Sequence, residues 1–182
     1  DMYRGSAYLT YLTEELPAFV ETMFPLSRKR EDRFVAGLSM GGYGALRLAL
    51  TRPERYAACA SLSGAIDLLA VRDQIHSGEI EGPFCWEDIF ADPAALEQTD
   101  ANLFHLIARQ QAAGAPLPRV FQSCGTEDFI YKANLSARDR LRQLGVDLTW
   151  EEHPGIHDWD YWDTHIRRVL DWLGLKNDSV TE

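Results

Sequence analysis

The sequence lacks an excess of basic residues, and it lacks long apolar segments. Its 182 residues carry 18 Lys and Arg against 28 Asp and Glu, a net charge of −10, which disfavours nucleic acid and anionic membrane surfaces as partners. No segment approaches the roughly 18 to 20 apolar residues that cross a bilayer, and the first residues show no pattern of an export signal. We therefore expect a cytoplasmic protein that binds neither nucleic acid nor membrane.

Cysteine is also scarce. Cys59, Cys85 and Cys124 form an odd set with dissimilar spacing, which fits neither a disulfide framework nor paired zinc knuckles. We expect buried, reduced thiols. Internal repeats and Gly/Ser linkers are absent, and the proportions of 46% hydrophobic and 25% charged residues are typical of globular proteins. Residues 1–182 are therefore predicted to form a single domain.

Short apolar runs alternate with segments of helical periodicity along the chain. The runs predict strands at 34–38, 56–62, 119–124 and 146–151, the last of them peripheral. The periodic segments predict helices at 8–24, 41–51, 96–111, 132–144 and 159–173. This alternation predicts an α/β fold, a parallel sheet with helices on both faces.

Two segments depart from this regular alternation. Pro17 interrupts the first helical pattern, so it either kinks that helix or begins a second one. Residues 78–118 contain glycine, proline, Trp86 and a run of acids, and they separate two core strands. Such an excursion predicts a cap insertion at about 78–118, placed over a site.

A nucleophile motif, Gly37-Leu38-Ser39-Met40-Gly41, lies between a predicted strand and a predicted helix. In a G-x-S-x-G turn the serine has a strained backbone and a projecting hydroxyl, and the glycines allow strand and helix to approach closely. The backbone N–H of Met40 is the expected first donor of an oxyanion hole. In this fold the second donor comes from a loop after an early strand, and no such loop precedes Ser39.

A serine nucleophile needs a histidine base and a carboxylate that orients the base, in the chain order Ser, acid, His. Asp128 follows the third strand, and we prefer it to its neighbour Glu127, which is the alternative acid. His157 lies in a loop beyond the fourth strand, and we prefer it to His153 at the end of that strand. The sequence therefore predicts a triad of Ser39, Asp128 and His157.

The same region is rich in potential metal ligands, but their spacing matches no known metal-binding scheme. Asp158 and Asp160 are expected to cap the last helix instead, and we predict neither metal nor cofactor. Phe84 and Trp86 in the cap segment are the candidate lining of an acyl pocket. The residues considered as ligands are His153, His157, Asp158, Asp160, Asp163 and His165.

Four ordered motifs resemble the Putative esterase family of α/β-hydrolases. They are residues 37–45, 61–64, 125–129 and 155–159. That family includes S-formylglutathione hydrolases, tributyrin esterases, feruloyl and acetylxylan esterases and mycolyltransferases, and the tributyrin esterase branch is the most similar. The resemblance implies an α/β-hydrolase fold and a bacterial enzyme that cleaves short-chain acyl esters without a cofactor. It also implies Ser39, Asp128 and His157 as the triad.

The resemblance covers the C-terminal two thirds of such an enzyme, because family members carry further strands before the nucleophile. The strand at 34–38 would then have an unpaired apolar edge, which recruits a partner strand or aggregates. We expect a companion N-terminal segment or a homo-oligomer. Two alternatives to a carboxylesterase stay open: a thioesterase of the S-formylglutathione hydrolase type, and an inactive fragment that needs a companion segment.

Overall fold

The computed structural model describes residues 1–81 and 86–175. Within these residues, four strands form one sheet in the spatial order β1-β2-β3-β4, and each neighbouring pair is parallel. The strands are β1 (Phe34–Leu38), β2 (Ala58–Leu62), β3 (Arg119–Gly125) and β4 (Leu148–His153). The predicted parallel sheet is confirmed, and its parallel pairing brings the carboxyl ends of all four strands to one edge.

Helices connect and flank these strands. Those of the described residues are α1 (Tyr8–Thr10), α2 (Leu16–Met23), α3 (Met40–Thr51), α4 (Leu68–His76), α5 (Trp86–Ile89), α6 (Leu103–Ala112), α7 (Tyr131–Gln143) and α8 (Trp159–Leu173). The predicted helix at 159–173 has the bounds of α8. The helices predicted at 41–51 and 132–144 each begin one residue earlier than expected.

Both faces of the sheet are covered, as predicted. Cys59 and Val120 lie on the face that packs against α3, α6 and α7, whereas Ala60 and Phe121 lie on the face that packs against α8. Because successive strand residues point to opposite faces, the central strands must be apolar at almost every position. All five residues of β2 are buried, and four of them are apolar, with Ser61 as the exception.

The first helical segment changes geometry just before Pro17. A π-helical turn at Tyr11–Glu15 joins α1 to α2, and Pro17 lies in the first turn of α2. The residues at the junctions, Thr10, Glu15 and Leu16, all have right-handed helical dihedrals, so the backbone is helical without a break from Tyr8 to Met23 and no second helix begins at the proline. The carbonyl of Thr13, four residues before Pro17, accepts from Arg55 Nη1 at 2.6 Å, since a proline has no N–H to donate to it.

The helix predicted at 96–111 was wrong at its beginning. Residues Pro93–Gln98 form a separate 3₁₀ helix, and α6 begins only at Leu103. Asn102 separates the two, since its side chain accepts a hydrogen bond from the N–H of Phe104 and caps α6. The apolar spacing of the 3₁₀ segment resembled that of an α-helix, whereas the cap at Asn102 sets the true start.

The segment at 78–118 has parts in two places. α5 lies beside the cavity that opens at Ser39, whereas Leu103 and Ile107 of α6 are fully buried in the core with α3. Leu96 of the intervening 3₁₀ helix is also buried. The cap at about 78–118 stays a prediction; of this segment, Ile80, Glu81, Trp86, Ile89 and Phe90 line the cavity at Ser39.

The outer edge of β1 faces away from β2. In the described part of the chain, β1 is the terminal strand of the sheet order, and its residues are less buried than those of β2. Phe19, Met23 and Phe24 of the preceding helical segment are more than half exposed. No helix in residues 1–81 and 86–175 is long and apolar enough to cross a membrane.

Candidate active site

Ser39 is held in a strained turn between β1 and α3. Its φ of 52° and ψ of −124° lie outside the ordinary regions for an L-residue. The Ser39 N–H donates to the carbonyl of Leu62 at 2.9 Å, and the Ser39 carbonyl accepts from the N–H of Gly42 at 3.0 Å. The backbone is therefore fixed on both sides by the neighbouring strand and by the helix, and strain of this kind is concentrated at functional sites.

His157 bridges Ser39 and Asp128. Its Nε2 lies 2.9 Å from Ser39 Oγ, and its Nδ1 lies 2.9 Å and 3.0 Å from the two carboxylate oxygens of Asp128. The side chain of Asp128 is fully buried and that of His157 is 15% exposed. The three predicted residues thus come together in a continuous chain of hydrogen bonds, and such bonds are stronger in a site that excludes water.

Asp128 is also fixed by its own loop. Its Oδ1 accepts a hydrogen bond from the N–H of Ile130 at 3.0 Å, just before α7 begins. A buried carboxylate requires hydrogen-bond donors to compensate for lost water. The imidazole of His157 and the amide of Ile130 supply them, so the ionised form of Asp128 is solvated by the protein itself.

Glu127, the alternative acid, has a different partner. Its Oε2 accepts from the N–H of Gly155 at 2.6 Å, and its Oε1 accepts from the hydroxyl of Thr126 at 2.7 Å. The Gly155 bond, and then the Thr126 bond, hold the pKa of Glu127 below its usual value. Neighbouring residues 127 and 128 therefore project in different directions, and Asp128 is the one in contact with His157.

His153, the alternative base, is packed behind the site. Its ring stacks on that of His165, with centroids 4.5 Å apart and planes 14° apart, and its Nε2 lies 3.4 Å from Glu151. Burial, and after it the neighbouring His153 and Arg168, lowers the pKa of His165. This pair supports the end of β4 rather than facing Ser39.

Two aromatic rings bracket the imidazole of His157, and they were missed as site residues. The ring of Phe129 lies 4.5 Å from it, and Trp162 meets it edge-on at 4.9 Å. Trp162 lies in the first turn of α8. Its position in the first turns of the helix that follows His157 was the available signal, because that turn packs back toward the loop.

Asp158 caps α8, as predicted, by accepting a hydrogen bond from the N–H of Tyr161 at 3.0 Å. Asp160 lies in the first turn of the same helix, where a negative charge is favourable. In the described ranges, no group of three or more Asp, Glu, His or Cys side chains is arranged to hold a metal ion.

A cavity of about 300 Å³ opens beside Ser39. Met40 lines it on the nucleophile side, and Trp86, Ile89 and Phe90 line it on the side of α5. The other lining residues are Tyr43, Ala65, Leu68, Val71, Ile80, Glu81, Phe129 and Ile130. Most are apolar, so the cavity suits an apolar group of a ligand. Trp86 is thus where the sequence placed it, whereas Phe84 lies outside the described residues.

The hydroxyl of Tyr43 does not make this cavity polar. It donates to the carbonyl of Ala101 at 2.8 Å, and burial raises its pKa to about 12. Glu81 is the lining residue with a charged side chain. Among the described residues, the cavity therefore has an apolar lining with one negatively charged side chain, that of Glu81.

Comparison with known proteins identifies the family of this chain. The model of the family described as Putative esterase matches residues 2–173. The chain belongs to the Putative esterase family. Its parallel sheet with flanking helices is that of esterase-type α/β serine hydrolases, and the predicted α/β-hydrolase fold is confirmed.

Solved structures and a curated relative support the same family assignment. The fluorophosphonate-binding serine hydrolase FphF of Staphylococcus aureus has a TM-score of 0.84 and 33% identity, over 96% of this chain and 66% of that one. The S-formylglutathione hydrolase FrmB of the same species has a TM-score of 0.80 and 33% identity, over 95% and 66%. An acetyl esterase of Caldicellulosiruptor saccharolyticus is 29% identical over 170 residues, covering 92% of this chain and 64% of the relative.

This esterase family member therefore spans less than two thirds of the length of these relatives. The residues matched by the family model, 2–173, include β1 to β4 and Ser39, Asp128 and His157. The family and the fold rest on that shared part.

Proposed function

We propose that this protein is a serine carboxylesterase in which Ser39 is the nucleophile, His157 the general base and Asp128 the orienting acid. The observation that carries the proposal is the chain of hydrogen bonds from Ser39 Oγ through His157 to Asp128, with every distance between 2.9 and 3.0 Å. Nucleophile, base and orienting group within hydrogen-bond reach are the signature of covalent acyl transfer.

In the proposed reaction, Ser39 Oγ attacks the ester carbonyl and forms a new carbon–oxygen bond while His157 Nε2 takes its proton. The tetrahedral intermediate collapses, the alcohol leaves with that proton, and an acyl-enzyme remains. Water then attacks the acyl-enzyme by the same route and releases the acid. Asp128 orients the imidazole and stabilises its positive charge in both steps.

The N–H of Met40 is the proposed donor to the oxyanion. It follows the nucleophile directly and opens α3, so it lies at the positive end of a helix dipole. A donor at this place stabilises negative charge as it develops on the carbonyl oxygen. In this fold the second donor comes from a loop after an early strand, and in the described part of the chain the one strand before Ser39 is β1, which leads into the nucleophile turn itself.

The cavity beside Ser39 supports an uncharged ester of a short acyl chain, such as acetyl or tributyrin-type esters, as substrate. Its walls are largely apolar, and Trp86 lines it near the nucleophile. Pockets of this size hold small ligands mainly by apolar contact. The sequence resemblance adds a bacterial cytoplasmic setting and no cofactor to this proposal.

A thioesterase of the S-formylglutathione hydrolase type is the second candidate, because FrmB matches the chain with a TM-score of 0.80. The same three residues would perform that reaction. Glutathione thioesters are anionic, however, and both the net charge of −10 and Glu81 in the cavity lining oppose an anion. The charge therefore favours the ester over the thioester.

A companion segment or a second copy of the chain is proposed to cover the outer edge of β1. The support is the exposed position of β1 at the end of the sheet order and the exposed apolar side chains of Phe19 and Met23. Exposed strand edges of this kind pair with other strands. Size-exclusion chromatography with light scattering tests this proposal, and a well-behaved monomer without a bound segment would contradict it.

The test of the activity is intact-protein mass spectrometry before and after treatment with a fluorophosphonate. We expect one adduct in the wild-type chain and none in Ser39→Ala. In parallel, hydrolysis of p-nitrophenyl acetate and butyrate is compared with that of S-formylglutathione, and Asp128→Asn is expected to lower kcat by about 10³- to 10⁴-fold. A folded wild-type protein without an adduct would favour the other alternative, an inactive fragment that needs a companion segment.

A further inference from the structure

The loops that carry Asp128 and His157 leave adjacent strands of the sheet. β3 and β4 are paired up to Gly125 and His153, and the Thr126 N–H donates to the carbonyl of His153 at 2.9 Å. Beyond that bond the strands have ended, so the distance between acid and base depends on contacts between the two loops. The side chains of Asp128 and His157 lie on those loops, two or more residues past the paired strands.

Glu127 supplies such a contact, and it does so twice. Its N–H donates to the carbonyl of Gly155 at 3.1 Å, and its Oε2 accepts from the N–H of Gly155 at 2.6 Å. Both polar backbone groups of Gly155 are therefore bound to one residue of the other loop. A hydrogen bond to a carboxylate is also roughly twice as strong as one between neutral groups.

Gly155 is restricted from another direction as well. Its φ of 149° is one that L side chains rarely adopt, and a Cβ at this position would lie 2.5 Å from Cδ2 of Tyr161. The loop is thus pressed between the ring of Tyr161 and the carboxylate of Glu127. His157 follows two residues later, and Asp128 is the immediate neighbour of Glu127. The contact therefore joins the two loops next to both of their functional side chains.

Resting on the proposed function, we propose that Glu127 is a positioning residue that holds the loop of His157 against the loop of Asp128. It touches neither substrate nor Ser39, and it acts through Gly155. The sequence offered Glu127 only as an alternative orienting acid, whereas the geometry gives the two neighbouring acids separate roles. Asp128 orients the imidazole, and Glu127 sets the position of the backbone that carries it.

The test compares Glu127→Ala with Glu127→Gln, using p-nitrophenyl acetate. The glutamine amide keeps an oxygen that accepts from the Gly155 N–H, whereas alanine removes it. Because a misplacement of about 1 Å can cost about 10²-fold in rate, we expect Glu127→Ala to lower kcat by about 10- to 100-fold with KM unchanged. We expect Glu127→Gln to restore most of kcat.

Asp139→Asn is the matched control. Asp139 is another exposed acid whose pKa is lowered by a hydrogen bond, in its case from the adjacent Arg138, but it joins no loops. We expect wild-type kcat and KM for this variant. Unchanged kcat in Glu127→Ala would overturn the proposal, and so would a loss of kcat that merely follows a loss of folded protein.

Two further outcomes separate this proposal from its rivals. If Glu127→Gln is as inactive as Asp128→Asn, Glu127 is itself the orienting acid and the positioning role is wrong. Hydrogen exchange of the peptide containing Gly155 gives a readout independent of activity: it should accelerate in Glu127→Ala and not in Glu127→Gln. A wild-type protein that fails to react with the fluorophosphonate would contradict the proposed function. The hydrogen-exchange measurement would still show whether Glu127 holds the loop at Gly155.

Discussion

Replacing the two glycines of the nucleophile motif by alanine should have opposite consequences. A methyl group on Gly37 would overlap the backbone carbonyl of Gly41, and the third-nearest atom, the nitrogen of Gly42, would be only 3.0 Å away. All three atoms belong to the backbone at the start of α3. A methyl group on Gly41 would meet no atom of the described residues within 4 Å, so the crowding is confined to Gly37.

The expected magnitudes follow from this difference. Non-bonded atoms are most stable at about 3.5 Å, so Gly37→Ala forces β1 and α3 apart by about 1 Å. Overpacking costs about 1–3 kcal/mol of the free energy of unfolding. For Gly37→Ala we expect a cost of about 3 kcal/mol, because the methyl group would meet rigid backbone of α3 rather than a flexible side chain. For a chain of this size that lowers Tm by about 6–12 °C. Gly41→Ala should gain up to about 1 kcal/mol, because alanine is the better helix former.

Thermal unfolding by circular dichroism and the rate of fluorophosphonate labelling measure both effects. We expect Gly37→Ala to label about 10²-fold more slowly, because Ser39 moves with the displaced turn. Gly41→Ala should label at nearly the wild-type rate. If Gly37→Ala unfolds at the wild-type temperature and labels normally, the close approach of strand and helix is not what this glycine provides, and the reasoning fails.

Three further predictions concern groups around the site. Phe129→Leu removes a ring whose centroid lies 4.5 Å from that of the His157 imidazole. Because aromatic contacts contribute about 0.5–1.5 kcal/mol, this variant should have a kcat/KM up to about tenfold lower. An unchanged kcat/KM would show that the ring does not support the base. Burial lowers the pKa of His165 in the folded protein. The free energy of unfolding should therefore decline as the pH falls below about 6.5, the pKa of histidine in the unfolded chain. When Tm is measured against pH, it should decline less in His165→Phe than in the wild type. Burial raises the pKa of the Cys59 and Cys124 thiols. Iodoacetamide should therefore alkylate them only after unfolding, as measured by peptide mass spectrometry. Rapid alkylation of the native protein would contradict their burial.

Sequence patterns predicted those parts of the fold that depend on local periodicity. The buried strands β2 and β3 carry short hydrophobic runs, and α8 has a capping aspartate and a regular apolar stripe, so all three elements follow from the residues. The predicted bounds of α8 are those observed, whereas β3 ends one residue later than predicted and β2 begins two residues later. The start of α6 was misplaced because Asn102, a single capping residue, outweighs apolar spacing in setting where a helix begins.

The candidate site was predictable to the extent that chain order and strand ends determine it. Ser39, Asp128 and His157 each follow a strand, and parallel strands end at one edge. The direction of the Glu127 side chain was not predictable, because it depends on how two loops pack against each other in three dimensions. No spacing in the sequence distinguishes an acid that faces a histidine from one that faces a glycine amide.

The hydrogen bond between Ser39 and His157 joins residues 118 positions apart in the chain, and it forms only when β1, β3 and β4 are aligned. Sheets built from such distant pairings fold slowly, whereas helices form early. During refolding, helical circular dichroism should therefore recover before reactivity toward the fluorophosphonate does. The reactivity of Ser39 therefore reports the last stage of folding, since the serine becomes reactive only when the aligned strands place His157 beside it.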